Sequence, residues 1–189
     1  MKPLGQPIRH YLTVLMMFFS LPVFHGTPEV KAAESFQLND RPLTELVRHG
    51  INVRLPAGWS KSETDRFTVL STDTGALQTV WVESDLQKEG DTLQKLVDDK
   101  LRELKRDHTG FQHLETKEVK IGDVSAFRIS FTHSFPLAQN FVMRADEFLL
   151  IAGNRRFSIK TACVNSEEQR VLPTLRAIVN SITFVPVRK

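Results

Sequence analysis

The chain is poor in cysteine and glycine, and both shortages narrow its chemistry. Cys163 is the only cysteine in 189 residues, so no disulfide can form within the chain. We expect this thiol to lie in the core, since an unpaired cysteine usually packs as a small apolar residue. The nine glycines are scattered. The sequence holds no phosphate-binding glycine loop, no Gly-x-Ser-x-Gly elbow and no His-Glu-x-x-His metal motif. We therefore predict no enzyme, no cofactor and no metal site.

The chain beyond residue 32 also lacks an excess of charge of one sign. The formal net charge is +3 and the sequence pI about 9.1. Residues 1–32 account for most of that excess, because they contain Lys2, Arg9 and Lys31 against Glu29 alone. A nearly neutral remainder has little electrostatic attraction for nucleic acid or anionic lipid. Nucleic acid is therefore not an expected partner.

Residues 1–32 have the three parts of a secretory signal. A basic leader precedes the apolar run Tyr11–Phe24, and Val30-Lys31-Ala32 forms a cleavage site with the cut after Ala32. The apolar run is shorter than the ~20 residues that cross a bilayer. We predict a signal peptide over 1–32, an extension over 33–50 and one domain over 51–189. The mature protein is then periplasmic or secreted; an uncleaved anchor is the alternative.

Two segments carry apolar residues at helical spacing. Asp91–Arg106 is predicted as a helix, with Asp91 as its N-cap and Gln94 as capping-box partner. Ser166–Val179 is predicted as a second helix, capped by Ser166 with Gln169. Pro173 lies inside it and should kink the helix or mark its effective start.

Alternating and β-branched segments make up the rest of the domain. Gly122-Asp123 and Gly153-Asn154 predict two hairpins between long strands. Asn52–Leu55 and a strand near the C-terminus add shorter elements, and "LTELVRHG" suggests a short helical turn. These features predict an α+β fold, an antiparallel sheet of about six to seven strands sandwiched by helices. Trp59, behind the Pro56–Gly58 turn, is interpreted as a structural plug.

The order of these elements resembles the superfamily of PsbP extrinsic photosystem proteins, bacterial DcrB-like proteins and a Ran-binding nuclear import factor. "VRLPAGW", the helix after "WVES", two successive hairpins and the terminal "IVNSITFV" carry the resemblance over Asn52–Val185. It implies a PsbP-like α/β/α sandwich. Because members are typically non-catalytic accessory or protein-binding proteins, it also implies a binding role, and it supplies no site residue to transfer.

Histidines and carboxylates are the remaining candidates for chemistry. His108 and His113 flank a turn and are close enough in sequence to suggest a metal pair, although solvation at a helix end is the simpler interpretation. His133 shares a strand face with Phe131, and no nucleophile is identifiable beside it. The acidic pairs Glu115/Glu118, Asp98/Asp99 and Asp146/Glu147 are each interpreted as solvated faces.

One cluster of positive charge indicates a surface for an acidic partner. Arg155, Arg156 and Lys160 follow closely around the second hairpin turn. We predict an exported, non-catalytic interaction or accessory protein of the bacterial cell envelope that acts through a protein-binding surface. The alternative is a periplasmic protein that binds a small ligand or lipid in a cleft between sheet and helix.

Overall fold

A seven-stranded antiparallel sheet forms the centre of the computed structural model, which describes residues 38, 40–72, 77–135 and 138–185. Its strands are β3 (Trp59–Glu63), β4 (Phe67–Thr72), β5 (Thr79–Leu86), β6 (Gln112–Ile121), β7 (Val124–Phe135), β8 (Ala138–Ala152) and β9 (Arg155–Val164). Their spatial order is β3-β4-β5-β9-β8-β7-β6. The predicted signal segment lies outside the described residues.

Two helices and a small sheet complete the described fold. The helices are α1 (Leu93–Asp107) and α2 (Glu168–Asn180), and the small sheet has the order β1-β2-β10, from β1 (Leu43–Leu46), β2 (Ile51–Arg54) and β10 (Thr183–Phe184). The sequence patterns predict a single sheet. In the structure β1, β2 and β10 instead pair with one another in a separate sheet. Residues 43–49, assigned to an extension, form β1 and a 3₁₀ turn, and Leu46 and His49 there are buried.

The main core lies between one face of the large sheet and a layer made of α2 and the small sheet. Along β5, Val80 and Val82 point into this core, while Trp81 between them faces the other side. The apolar stripe of α2 completes it through Val171, Leu172, Leu175, Ile178 and Val179. Cys163 is fully buried in the same cluster, which confirms its predicted core position.

Both predicted hairpins are present. Ile121 pairs with Val124 across Gly122, and Ala152 pairs with Arg155 across Gly153. These glycines have φ of 57° and 61°, the left-handed conformation that a two-residue hairpin turn requires. Trp59 begins β3 and packs, partly buried, against the core cluster, which supports its structural interpretation.

The helix caps differ from the prediction. Thr92, not Asp91, caps α1, because its hydroxyl accepts the backbone N–H of Lys95 at 3.2 Å. Asp91 instead accepts from the backbone N–H of Lys88 at 2.8 Å. A 3₁₀ turn, Asn165–Glu167, precedes α2, and no side chain in the described part of the chain caps that helix, so the Ser166 box is also wrong. Pro173 lies within α2 rather than at its start.

Candidate functional site: the groove between α1 and the sheet

The second face of the large sheet is covered by α1, and an open groove of about 240 Å³ separates the two along one side of the helix. Val97 and Leu104 are the buried contacts of α1 on this face. We call this cavity the α1 groove. Its lining combines a few apolar side chains with six charged ones: Glu83, Ser84, Asp85, Leu96, Asp99, Lys100, Glu103, Leu149, Arg156, Phe157 and Ser158.

Lys100 joins the helix to the sheet at one wall of the α1 groove. Its Nζ lies 3.7 Å from Oε1 of Glu147 on β8 and 3.1 Å from Oε1 of Glu103. Burial alone would lower the pKa of Lys100, but Glu147 and Glu103, with a smaller contribution from Glu83, more than offset this effect and raise that pKa above its usual range. Ser158 also donates to Glu147. This ammonium therefore remains charged and neutralises buried acid.

Arg156 is held at another wall of the α1 groove. Its guanidinium lies 3.4 Å from Oδ2 of Asp85 and 3.5 Å from Oδ2 of Asp91. The Asp91 side chain is only 4% exposed, so this pair anchors the start of α1 to β9. Asp99, on the outer side of the groove, is paired with Arg102 on the same helix.

Glu83 differs from the other carboxylates that line the α1 groove. It forms no hydrogen bond or ion pair with any residue in the described ranges, and it remains open to solvent. Partial desolvation in the groove is the main cause that raises the pKa of Glu83; Lys100 opposes it, while Glu147, Asp85 and Glu103 add to it. Among the described residues Glu83 thus has no hydrogen bond or ion pair of its own, and Lys100 acts on it only as a longer-range charge, whereas the other charges that line the groove are paired.

Arg155, Arg156 and Lys160, the predicted basic patch, do not form one surface, because successive side chains of β9 point to opposite faces of the sheet. Arg156 faces the α1 groove, whereas Arg155 points to the opposite face and donates to the backbone oxygen of Arg48 and to Ser84 Oγ, at 3.1 and 2.9 Å. Lys160 lies beyond the groove, where its Nζ contacts Nε2 of His108 at 3.2 Å. The three side chains therefore have different surroundings.

Two histidines meet at the C-terminal end of α1, and they are not the pair that sequence spacing suggested. The rings of His108 and His133 are 4.5 Å apart, and Phe131 packs edge-on against His108 at 5.7 Å. Burial, followed by the charge of Lys160, lowers the pKa of His108 to about 3 and that of His133 to about 4. The solvated interpretation is wrong for His108, because its ring is packed against the sheet.

His113 is separate from that cluster. It is exposed on β6, and its Nε2 is 2.8 Å from Oγ1 of Thr116. Within the ranges that the structure describes, no three His, Cys, Asp or Glu side chains are grouped so that they could hold a metal ion.

The structure contradicts the interpretation of the pair Asp146/Glu147 as a solvated face. Asp146 is fully buried and Glu147 is 3% exposed. Because consecutive strand residues point to opposite faces, Glu147 meets Lys100 beneath α1 while Asp146 faces α2. The two nearest nitrogens of Arg176 each lie 2.8 Å from Asp146 Oδ2, and Ser130 donates to Oδ1 at 2.6 Å.

Arg144 extends this buried network. Its Nη1 lies 3.2 Å from Oδ1 of Asp146, and its Nε donates to Glu168 at 3.1 Å. The sequence signal for both buried carboxylates was their position next to the apolar run "FLLIA" of the same strand. The other two acidic pairs, on α1 and β6, are exposed as predicted.

The described fold is an α+β sandwich, with α1 on one face of an antiparallel sheet and α2 with the small sheet on the other. Neither described helix combines the length and apolar composition that crossing a membrane requires. No protein-family model matches the sequence, and no curated protein matches it. Solved structures do match.

LpqN, a protein involved in cell envelope biogenesis of Mycobacterium tuberculosis, superposes with a TM-score of 0.58 at 16% identity, over 72% of this chain and 83% of LpqN. Cyanobacterial PsbP from Synechocystis sp. PCC 6803 superposes with a TM-score of 0.58 at 10% sequence identity, and the match covers 85% of this chain and 98% of PsbP. The Saccharomyces cerevisiae Ran-binding protein Mog1p superposes with a TM-score of 0.54 at 12% sequence identity, and the match covers 77% of this chain and 96% of Mog1p. This chain has the PsbP-like fold, which confirms the resemblance at the level of architecture.

Proposed function

We propose that this protein is an exported, non-catalytic interaction protein of the bacterial cell envelope, and that it binds a partner protein in the α1 groove. The observation that carries the proposal is Glu83, a carboxylate that forms no hydrogen bond or ion pair with a described residue, in a groove whose other charges are paired. A basic side chain of the partner supplies the missing charge.

The pairing inside the groove favours recognition over turnover. Lys100 is engaged by Glu147 and Glu103, and Arg156 is engaged by Asp85 and Asp91. Charges fixed in this way form a rigid electrostatic pattern that selects a complementary surface. General acid–base catalysis instead needs two groups placed on either side of a substrate, with pKa values tuned near the working pH.

The size of the groove fits one long side chain. Its volume of about 240 Å³ is below the ~300–1,000 Å³ typical of pockets for small organic ligands. Leu96, Leu149 and Phe157 offer apolar contacts to the aliphatic stem of a lysine or arginine, while the head group reaches Glu83. The partner is therefore proposed to present a Lys or Arg side chain.

Export rests on the leader over residues 1–32 with its cut after Ala32. LpqN, which shares the fold, is involved in cell envelope biogenesis, and Mog1p is a Ran-binding protein. These two relatives support an envelope location and a protein partner as proposals for this chain, at the coarse level of the shared architecture.

A small-ligand carrier is the second candidate, because a cleft does lie between helix and sheet. The six charged side chains that line it disfavour a lipid tail, since burial of paired charge against hydrocarbon is costly. If the protein is a small-ligand carrier, the ligand we expect is a compact organic cation.

Crosslinking in the native envelope, followed by quantitative co-purification, tests the proposal. Wild type is compared with Glu83→Gln, which removes the charge, and with the matched control Glu45→Gln, at an exposed carboxylate on the small sheet. We expect a protein that is enriched equally with wild type and E45Q and is depleted at least tenfold with E83Q. Equal recovery in all three, or a bound small cation in native mass spectrometry without any protein partner, would contradict it.

A further inference from the structure

The edge strand β6 is exposed on both of its faces. Residues Gln112–Glu118 are all solvent-exposed, so neither the α1 layer nor the α2 layer covers this part of the sheet. Within the described chain β6 pairs only with β7, and its other side carries a row of backbone N–H and C=O groups open to a further strand. The register with β7 shifts between His113 and Glu115, and from Glu115 onward the ladder is regular, so that this part of the edge, uncovered by any described residue, is a template for strand addition.

Charge on β6 is unbalanced on the face turned toward the α2 layer. Lys117 is directly opposite Arg128 of β7, which places two positive charges side by side. Arg128 is compensated by Glu115, whose Oε2 accepts its Nη2 at 2.7 Å. Lys117 has no ion pair with a described residue. A carboxylate on an added strand would supply its partner.

We propose that β6 pairs antiparallel with β6 of a second copy of this chain, about a two-fold axis that is perpendicular to the sheet and passes midway between the two Thr116 residues. Such an axis keeps every residue on its own face, and it places residues opposite each other in pairs centred on the axis. Glu115 of each copy then lies opposite Lys117 of the other, and the two Thr116 residues face each other. The dimer gains two ion pairs and a continuous sheet.

The neighbouring registers are disfavoured by charge. If the axis moves by one residue it lies between the two Glu115 residues or between the two Lys117 residues, and each move sets two like charges directly opposite each other. Charged edge strands usually resist pairing with unrelated strands. The order Glu-Thr-Lys removes that resistance for a second copy in this register. The inference does not depend on the α1 groove.

Charge exchange tests this interface in the full mature chain. Sedimentation equilibrium is expected to show a monomer–dimer equilibrium for the wild type. Both Glu115→Lys and Lys117→Glu set like charges across the axis, and each should weaken dimerisation about ten- to thirtyfold, because every replacement acts twice in a symmetric dimer. Glu45→Lys, a matched charge reversal at an exposed site on the small sheet, should leave the dimer unchanged.

An equimolar mixture of the two variants gives the decisive result. In the mixed pair, position 115 of one chain and position 117 of the other always carry opposite charges, so E115K and K117E together should recover the wild-type association. Circular dichroism and urea unfolding confirm that each variant is folded. A wild type that stays monomeric to ~1 mM, or a mixture that associates no better than its components, would overturn the proposal. Rescue in the mixture cannot arise from loss of folding.

Discussion

Protonation of the two histidines at the end of α1 is expected to destabilise the protein in mild acid. His108 and His133 have pKa values of about 3 and about 4, lowered first by burial and then by Lys160. Unfolded, each has a pKa of about 6.5. Below about pH 6.5 these two histidines therefore become protonated in the unfolded chain while they stay neutral in the folded protein. Their contribution to stability is complete above about pH 6.5 and is lost as the pH falls below it.

The size of this loss in the free energy of unfolding follows from the folded and unfolded pKa values of His108 and His133. Between about pH 7.5 and about pH 5, each histidine removes about 2 kcal/mol from the free energy of unfolding. Both folded-state pKa values lie at or below about 4, so the result at pH 5 depends mainly on the unfolded value. Two such losses are a large part of the 5–15 kcal/mol that stabilises a typical domain.

Urea unfolding at the two pH values, for wild type and His133→Gln, isolates the effect. H133Q should lose about 2 kcal/mol less than wild type on acidification. His113→Gln, at an exposed histidine on β6, should lose as much as wild type. The raised pKa of Glu83 acts in the opposite direction, but it is common to all three proteins and cancels in the comparison. An H133Q protein with the wild-type pH dependence would refute the reasoning.

Three further predictions concern the core and the leader. Asp146→Ala should destabilise the protein by about 3 kcal/mol, because it removes the carboxylate that faces the buried Arg144; Asp98→Ala, on the exposed side of α1, is the control in urea unfolding. Cys163 is fully buried, and burial raises its pKa to about 11. A thiol reagent should therefore label it only as fast as the chain opens, and immediate labelling of folded protein would contradict its placement. Mass spectrometry of protein recovered from the periplasm should find Ala33 as first residue; a chain that retains Met1 would favour the anchor.

Sequence patterns predicted the parts of the fold that local chemistry determines. The glycine turns at Gly122 and Gly153 and the stripes of α1 and α2 are signals contained in a few neighbouring residues, and all were found where expected. The small sheet was missed because β2 pairs with β10, about 130 residues away along the chain, and no local pattern specifies that contact.

The candidate site was harder to predict for the same reason. Asp146 and Glu147 are adjacent in sequence but meet different partners on opposite faces of the sheet, Arg176 on α2 and Lys100 on α1. Glu83 becomes distinctive only when the pairing of every other charge in the groove is known. His108 and His133 are joined by the packing of α1 on β7, whereas sequence proximity pointed to His113.

Photo-crosslinking from within the α1 groove tests most directly whether a partner protein binds there. A photoreactive residue in place of Asp99, at the groove lining, is compared in living cells with the same residue in place of Glu45 on the small sheet. We expect a discrete protein adduct from position 99 only, and we expect this adduct to be lost when Glu83→Gln is added. No adduct from position 99, or an adduct that persists unchanged with E83Q, would contradict it.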